Sequence, residues 1–327
     1  MLRSFEAAFT LGLSPNLELH PRLAPVKRYT GLIAATFTPF HADGSVNLAA
    51  IESQAQWLQS VGIRTVFING TTGEGPSLSV DERKNVARQW CEIGRKADLK
   101  VLVHVGCESV VEAVELARHA QQVGASAISC FAPSYYKPYS VAGLTAFCRR
   151  VAEAAPDLPF YYYHIPVRTG VTISVSDLLC EAAAQVPSLA GAKFSHPDLM
   201  DLLRCLRWDD GRFDILFGLD EMLLPAVALG VRGAVGTNYN YAAGLYLRLL
   251  QAFAEGDLET ARRLQAQANE LIACLSRFGF LRAAKRVMAI LGVDCGPVRP
   301  PLADLTADEE KLLREHLERL GFPERYR

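Results

Sequence analysis

The sequence predicts an α/β protein folded as a (β/α)8 TIM barrel with additional C-terminal helices. Three observations carry that expectation. From Tyr29 onward, short β-prone runs alternate with amphipathic stretches of helix length, the pattern that forces parallel strands joined by crossover helices. The runs number eight, which fits a closed barrel better than an open doubly wound sheet. No Gly-x-Gly-x-x-Gly turn follows the first run, as a dinucleotide-binding sheet would require.

Taken in order, the strand Leu32–Thr38 leads to the helix Leu48–Val61, and Thr65–Ile68 to Val80–Lys96. Val101–Val105 precedes Val110–Val123, Ala127–Phe131 precedes Val141–Ala154, and Phe160–Tyr163 precedes Val175–Gln185. The last units pair Leu189–Phe194 with Leu199–Trp208, Ile215–Phe217 with Met222–Leu229, and Gly233–Val235 with Tyr241–Glu255. Ser79 with Glu82 and Ser109 with Glu112 have the spacing of capping boxes, in which the hydroxyl accepts an orphan N–H and the carboxylate reaches back. Beyond the eighth unit, Leu258–Arg277, Leu281–Leu291 and Asp308–Leu320 read as helices, with Gly292–Pro301 as a proline-rich break. They are too few for a core of their own, so residues 257–327 are expected to form a helical appendix packed on the barrel of residues 29–256. Residues 1–28 are expected to be a surface-lying extension. Their short apolar stretch, Ala7–Leu13, follows Glu6 and shows no small-residue cleavage site, and arginines are few.

The chain has 327 residues, half of them hydrophobic, enough to bury a large core. Lysine and arginine total 34 against 35 aspartates and glutamates, a formal net charge of −1 with both signs interspersed. Nothing here is an electrostatic footprint for nucleic acid or an anionic membrane. Apolar runs break within about 10 to 12 residues, too short to cross a bilayer. A small-molecule partner is therefore expected. The eight cysteines lie scattered through apolar segments, with no Cys-x-x-Cys pair and no Cys/His cluster at zinc spacing. They are expected as buried thiols in a reducing, cytoplasmic setting with no metal site.

Barrel enzymes carry their chemistry at the C-terminal ends of the strands. Lys193 closes the sixth strand in Leu-Ala-Gly-Ala-Lys-Phe-Ser, and of the eight lysines only it has strongly apolar flanks on an expected strand. An ammonium among apolar groups loses hydration, which favours the free amine that attacks a ketone. On this residue alone, a strand-end lysine reaching out to solvent is an equal alternative. The second strand ends in Asn69-Gly-Thr-Thr-Gly-Glu-Gly75, where glycines expose consecutive N–H groups beside the Thr71 and Thr72 hydroxyls. Such a turn suits a carboxylate, and it also serves as a plain strand-to-helix loop. The fifth strand ends in Tyr161-Tyr-Tyr-His-Ile-Pro-Val-Arg-Thr-Gly170. A phenol at Tyr163 can shuttle a proton, whereas Tyr161 and Tyr162 read as strand packing and His164 as a hydrogen-bonded structural residue. Asp220 and Glu221 after the seventh strand either bind a polyol or cap the following helix.

In their order along the chain these motifs resemble the N-acetylneuraminate lyase and dihydrodipicolinate synthase superfamily of class I aldolases, from about Thr30 to Pro301. The resemblance rests on Gly70-Thr-Thr-Gly-Glu74, Tyr163-His-Ile-Pro166 with Thr169-Gly170, Ala192-Lys-Phe-Ser195, Gly218-Leu-Asp-Glu221 and Ala234-Val-Gly-Thr-Asn-Tyr-Asn240. Within that superfamily the sialic-acid lyases look most similar. The resemblance implies that Lys193 forms an imine with pyruvate or substrate, that Tyr163 relays the proton at the C4 hydroxyl, and that Thr71 and Thr72 hold the pyruvyl carboxylate. It further implies that Ser195, Gly218, Asp220, Glu221 and Thr237 line the pocket for the sugar tail. Tyr135 would match a tyrosine lent across a subunit interface in a homotetramer built as a dimer of dimers. Because the imine is the electrophile, no cofactor or metal is implied. One residue departs from the lyase pattern: Arg168 stands where the lyases carry an apolar residue and dihydrodipicolinate synthases carry an arginine for the carboxylate of their second substrate. A dihydrodipicolinate synthase-like or other pyruvate-dependent 2-oxo-acid aldolase is the alternative it implies.

Overall fold

The computed structural model describes Val26 and residues 28–326, so the expected extension at residues 1–28 lies almost entirely outside the described residues. Eight parallel strands close on themselves: β1 (Gly31–Ala35), β2 (Thr65–Ile68), β3 (Lys100–His104), β4 (Ala127–Phe131), β5 (Phe160–His164), β6 (Leu189–Phe194), β7 (Asp214–Phe217) and β8 (Gly233–Gly236). Each pairs with its sequence neighbour, and β8 pairs with β1. Helices α1 (Ala50–Ser60), α2 (Val80–Ala97), α3 (Val110–Gln122) and α4 (Val141–Ala152) surround the first half. The second half carries α5 (Pro166–Thr169), α6 (Val175–Ala182), α7 (Leu199–Arg207), α8 (Leu223–Ala228) and α9 (Ala243–Ala254). Then follow α10 (Leu258–Arg277), α11 (Phe280–Ile290) and α12 (Ala307–Leu320).

The strands are buried on both faces, which is why they read as nearly continuous apolar runs. Their outward side chains, such as Val101, Ile128, Phe160 and Phe194, pack with the helices into one core, while Ile33, Phe67, Leu102, Tyr161, Tyr163 and Leu216 fill the barrel interior. The C-terminal helices join the outer core through Leu264, Leu271, Val287 and Leu313. No helix among the described residues is long and apolar enough to cross a membrane.

The capping spacing at Ser79 gives the full reciprocal box that starts α2. At Ser109 only half forms: the hydroxyl accepts the Glu112 N–H at 3.4 Å, and no return bond from the Glu112 carboxylate is present. A second reciprocal box, Thr306 with Glu309, starts α12. Strand β1 stops at Ala35, short of the expected Thr38, because the chain leaves the ladder there and the Thr38 hydroxyl donates to the Gly73 carbonyl at 2.6 Å.

One irregularity decides what the barrel can do. Along β5 and β6, Phe160 pairs with Leu189 but Tyr161 pairs with Gly191, leaving Ala190 unopposed in a bulge. Leu189 faces the helices, Ala190 faces the interior, and Ala192 and Phe194 face the helices again. Strict alternation from Leu189 would have turned Lys193 outward; the extra residue resets the phase and turns it in. Gly191 makes the bulge possible, since a Cβ there would lie 1.8 Å from the Asp214 carbonyl oxygen on β7.

The floor of the barrel is closed by a polar plug. Asp214 accepts the Tyr29 N–H and the Tyr161 hydroxyl, both at 2.9 Å, and all three residues are buried. Burial raises the Asp214 carboxyl above its ordinary range and drives the Tyr161 phenol far upward.

Candidate active site

Lys193 sits at the end of β6 with 4% of its surface exposed, and its Nζ lies 4.1 Å above the Phe67 ring and 4.0 Å above the Tyr163 ring. The backbone pairing puts Tyr163 of β5 and Leu216 of β7 directly beside it. The solvent-reaching alternative is therefore not adopted: the side chain ends under two aromatic faces inside the barrel mouth. Among the described residues no carboxylate pairs with it.

The other expected residues assemble around that amine. The Tyr163 hydroxyl lies 3.3 Å from Thr71 Oγ1, and Thr72 Oγ1 lies 2.6 Å from Thr237 Oγ1. Thr71 is exposed and Thr72 buried, so the turn after β2 offers one hydroxyl to the mouth and ties the other to the end of β8. Ser195 donates to the Gly218 carbonyl at 3.3 Å. A methyl group built at Gly218 would fall 2.0 Å from Ser195 Oγ and 3.4 Å from Lys193 Cε, so the ends of β6 and β7 close on each other only with glycine there.

Asp220 is buried at the end of β7, where its carboxylate accepts both the backbone N–H and the side-chain amide of Asn238, at 2.8 and 2.7 Å. Burial pushes its carboxyl up to about 7 against those two bonds. Glu221 is exposed. Neither carboxylate caps a helix, which corrects that alternative: the turn Asp220–Met222 and α8 both begin without a side-chain cap.

Two expected residues stand apart. Tyr135, on the loop after β4, is 80% exposed and meets the Tyr136 ring edge-on at 5.0 Å; its own chain does not bring it to Lys193. That loop is held from below by Glu108, which accepts the backbone N–H groups of Ser134 and Tyr135 and the Ser134 hydroxyl. Arg168, on the single turn of α5, is exposed, and no ion pair engages it among the described residues.

His164 makes its place by ring contacts rather than by the expected hydrogen bond. It packs against Tyr162, Phe194 and His196 at 5.9, 5.5 and 5.5 Å, and its Nδ1 has no partner. Burial lowers its imidazole to about 4, which keeps it neutral.

Sequence reasoning passed over two groups near the site. His104, on β3, is wholly enclosed, edge-on to Tyr163 at 5.4 Å and against Phe131 at 4.7 Å. Burial, reinforced by the charges of Arg83 and Lys193, holds its imidazole well below the usual range. Arg83, from α2, is buried and donates to the Gly106 and His104 carbonyls at 2.8 and 2.7 Å, fixing the end of β3. The only available signals were a histidine inside an apolar run and an arginine on a helix, neither distinctive. The second group is the buried pair Glu74 and Lys285, 2.7 Å apart. Lys285 had looked like one more charged helix position, yet it is as hidden as Lys193. Among the described residues no cluster of three or more His, Cys, Asp and Glu side chains is placed to hold a metal ion.

The chain is similar in sequence and fold to known proteins. Residues 28–320 match the dihydrodipicolinate synthetase family model. The chain is 44% identical to the N-acetylneuraminate lyase of Danio rerio, over 85% of this chain and 92% of that one. It is 43% identical to the N-acetylneuraminate lyase of Gallus gallus, over 92% of this chain and 99% of that one. Among solved structures, the native N-acetylneuraminate lyase (sialic acid aldolase) from Aliivibrio salmonicida superimposes with a TM-score of 0.89 at 38% identity, covering 92% of this chain and all of that one. An extended match of this kind, together with the closed barrel and the inward lysine, assigns the chain to the dihydrodipicolinate synthetase family.

Proposed function

We propose that the chain is a class I aldolase that cleaves N-acetylneuraminate to N-acetylmannosamine and pyruvate through a Schiff base on Lys193. The observation that carries this reading is the inward Lys193 amine, 4.0 Å from the Tyr163 ring, whose hydroxyl in turn meets Thr71. Relatives named for this activity, at 44% and 43% identity over most of both chains, support it.

In the cleavage direction, the Lys193 amine adds to the C2 ketone of the open-chain sugar acid and water leaves, giving an iminium. Thr71, Thr72 and the N–H groups of their turn hold the C1 carboxylate. Tyr163 relays the C4 hydroxyl proton, its own phenol proton passing by way of the Thr71 hydroxyl to the solvent at the mouth as the C3–C4 bond breaks, and the electron pair of that bond moves into the iminium. The aldehyde departs as N-acetylmannosamine. The enamine left on Lys193 is protonated at C3, and water releases pyruvate and the amine. Ser195, Gly218, Asp220, Glu221 and Thr237 line the space for the polyol tail, with Glu221 as the exposed acceptor and Asp220 holding the β8 turn through Asn238. In this reading Tyr135 acts on a neighbouring subunit of a homotetramer, which accounts for its exposure in one chain, and the enzyme works in the cytoplasm.

Borohydride added with pyruvate should leave a stable adduct on Lys193, detected by intact and peptide mass. Lys193→Arg should abolish both the adduct and pyruvate release from N-acetylneuraminate. Pyruvate release undiminished by Lys193→Arg would refute the assignment. The exposed Arg168 favours a second reading, condensation of pyruvate with a carboxylate-bearing aldehyde. It is tested by assaying aspartate semialdehyde condensation in the wild type and in Arg168→Leu: activity that the substitution removes would favour the synthase reading.

A further inference from the structure

The turn that offers Thr71 and Thr72 is anchored from an unexpected direction. Glu74, three residues after Thr71, adopts a left-handed backbone (φ 52°, ψ 30°) and is buried. Its Oε1 lies 2.7 Å from Lys285 Nζ on α11, and its Oε2 accepts the Arg299 backbone N–H at 2.8 Å. Lys285 also donates to the Pro297 carbonyl at 2.7 Å, so the ammonium bridges the turn and the proline-rich segment. Arg299 extends the clamp, donating to both carboxylate oxygens of Glu82 at 2.8 Å and to the Ser77 and Gly44 carbonyls. The Phe40 ring lies under both cations, 4.3 Å from Lys285 Nζ and 4.5 Å from the Arg299 guanidinium.

A buried ion pair adds little net stability, because desolvating two charges costs about what their attraction returns. What it does supply is direction: the ammonium beside one oxygen and the Arg299 N–H on the other leave the carboxylate one position, and the backbone carrying it follows. The Glu74 N–H donates to the Thr71 carbonyl at 3.1 Å, so the position of Glu74 is passed to the threonine that faces Tyr163.

We infer that Lys285 and Glu74 are positioning residues for substrate binding, through which the C-terminal helices set the geometry of the carboxylate-gripping turn. This rests on the reading of Lys193 as the imine-forming amine and of Thr71 and Thr72 as the carboxylate site. The pair touches no substrate atom. Its loss should weaken recognition of a carboxylate while leaving the intrinsic reactivity of the Lys193 amine in place.

The test compares reductive trapping of Lys193 by pyruvate and by acetone, which has the same ketone without the carboxylate. Wild-type protein should trap pyruvate in preference to acetone. In Lys285→Met that preference should fall about tenfold to a hundredfold, with acetone trapping within about twofold of wild type. Arg282→Met breaks a more exposed pair with Glu309 that lies wholly within the C-terminal helices, and it should leave the preference unchanged. Should Lys285→Met not fold, Glu74→Gln/Lys285→Met removes both charges and leaves none unpaired, and it should show the same loss. An undiminished preference in either folded variant, or an equal loss in Arg282→Met, overturns the inference while leaving the Lys193 assignment standing. No trapping by either ketone in the wild type overturns that assignment and the inference with it.

Discussion

Replacing Gly191 by alanine tests whether the bulge in β6 is what aims Lys193. The added Cβ would lie 1.8 Å from the Asp214 carbonyl oxygen, about 1.5 Å inside an ordinary carbon–oxygen contact. Neither atom belongs to a flexible side chain, so β6 and β7 must separate or the bulge must shift. Overpacking of this kind costs roughly 1 to 3 kcal/mol, equivalent to a Tm lower by roughly 1.5 to 4.5 °C in a chain of this size. The effect on catalysis should be larger in proportion. Lys193 lies two residues on, and a displacement of about 1 Å at a reacting group costs on the order of a hundredfold in rate. Pyruvate release from N-acetylneuraminate, followed by coupled reduction to lactate, gives kcat, and a thermal melt of the same preparation gives Tm. Both values should fall in Gly191→Ala. A variant with wild-type Tm and kcat within about threefold of wild type would refute the argument, because the strands would then have absorbed the methyl without moving the amine.

Tyr163→Phe keeps the ring beneath Lys193 and removes only the hydroxyl, so kcat for cleavage should fall about 10²- to 10⁴-fold while borohydride still traps pyruvate on Lys193; loss of trapping would contradict the division of roles. Asp220 carries a carboxyl raised to about 7 by burial, against an ordinary value near 4 in the unfolded chain. The folded state therefore binds the extra proton between those values, and this stabilising contribution is full below about pH 4 and lost as pH rises through about 7. Asp220→Asn should remove that dependence, so the difference in stability between wild type and variant, measured by urea unfolding, should change by up to roughly 4 kcal/mol across the window. A pH-independent difference would place the native titration elsewhere.

Much of the fold was legible because of where the strands lie. A parallel barrel covered by helices must build each strand from apolar residues on both faces, and runs such as Val101–Val105 and Ala127–Phe131 announce themselves. The gathering of Lys193, Tyr163, Thr71, Thr72 and Thr237 was legible for a related reason: each lies at or just beyond the C-terminal end of a strand, and a closed parallel barrel brings all such ends to one rim. Facing is another matter. The phase reset at Ala190 depends on hydrogen bonds to β5 that no periodicity encodes, since Ala-Gly-Ala reads the same in or out. Lys285 was illegible because its partner, Glu74, lies more than two hundred residues earlier, so neither charge showed any local sign of burial. The half-formed cap at Ser109 has a similar cause, for spacing gives the hydroxyl its N–H but does not compel the carboxylate to turn back.

The plug of Tyr29, Tyr161 and Asp214 makes the barrel a cul-de-sac. Among the described residues the plug blocks the approach to Lys193 from beneath, so in the proposed reaction substrate and the water that frees the lysine would both come from the opposite rim. In the proposed reaction hydrolysis would then follow departure of the sugar half, so traffic as well as reactivity would order the events.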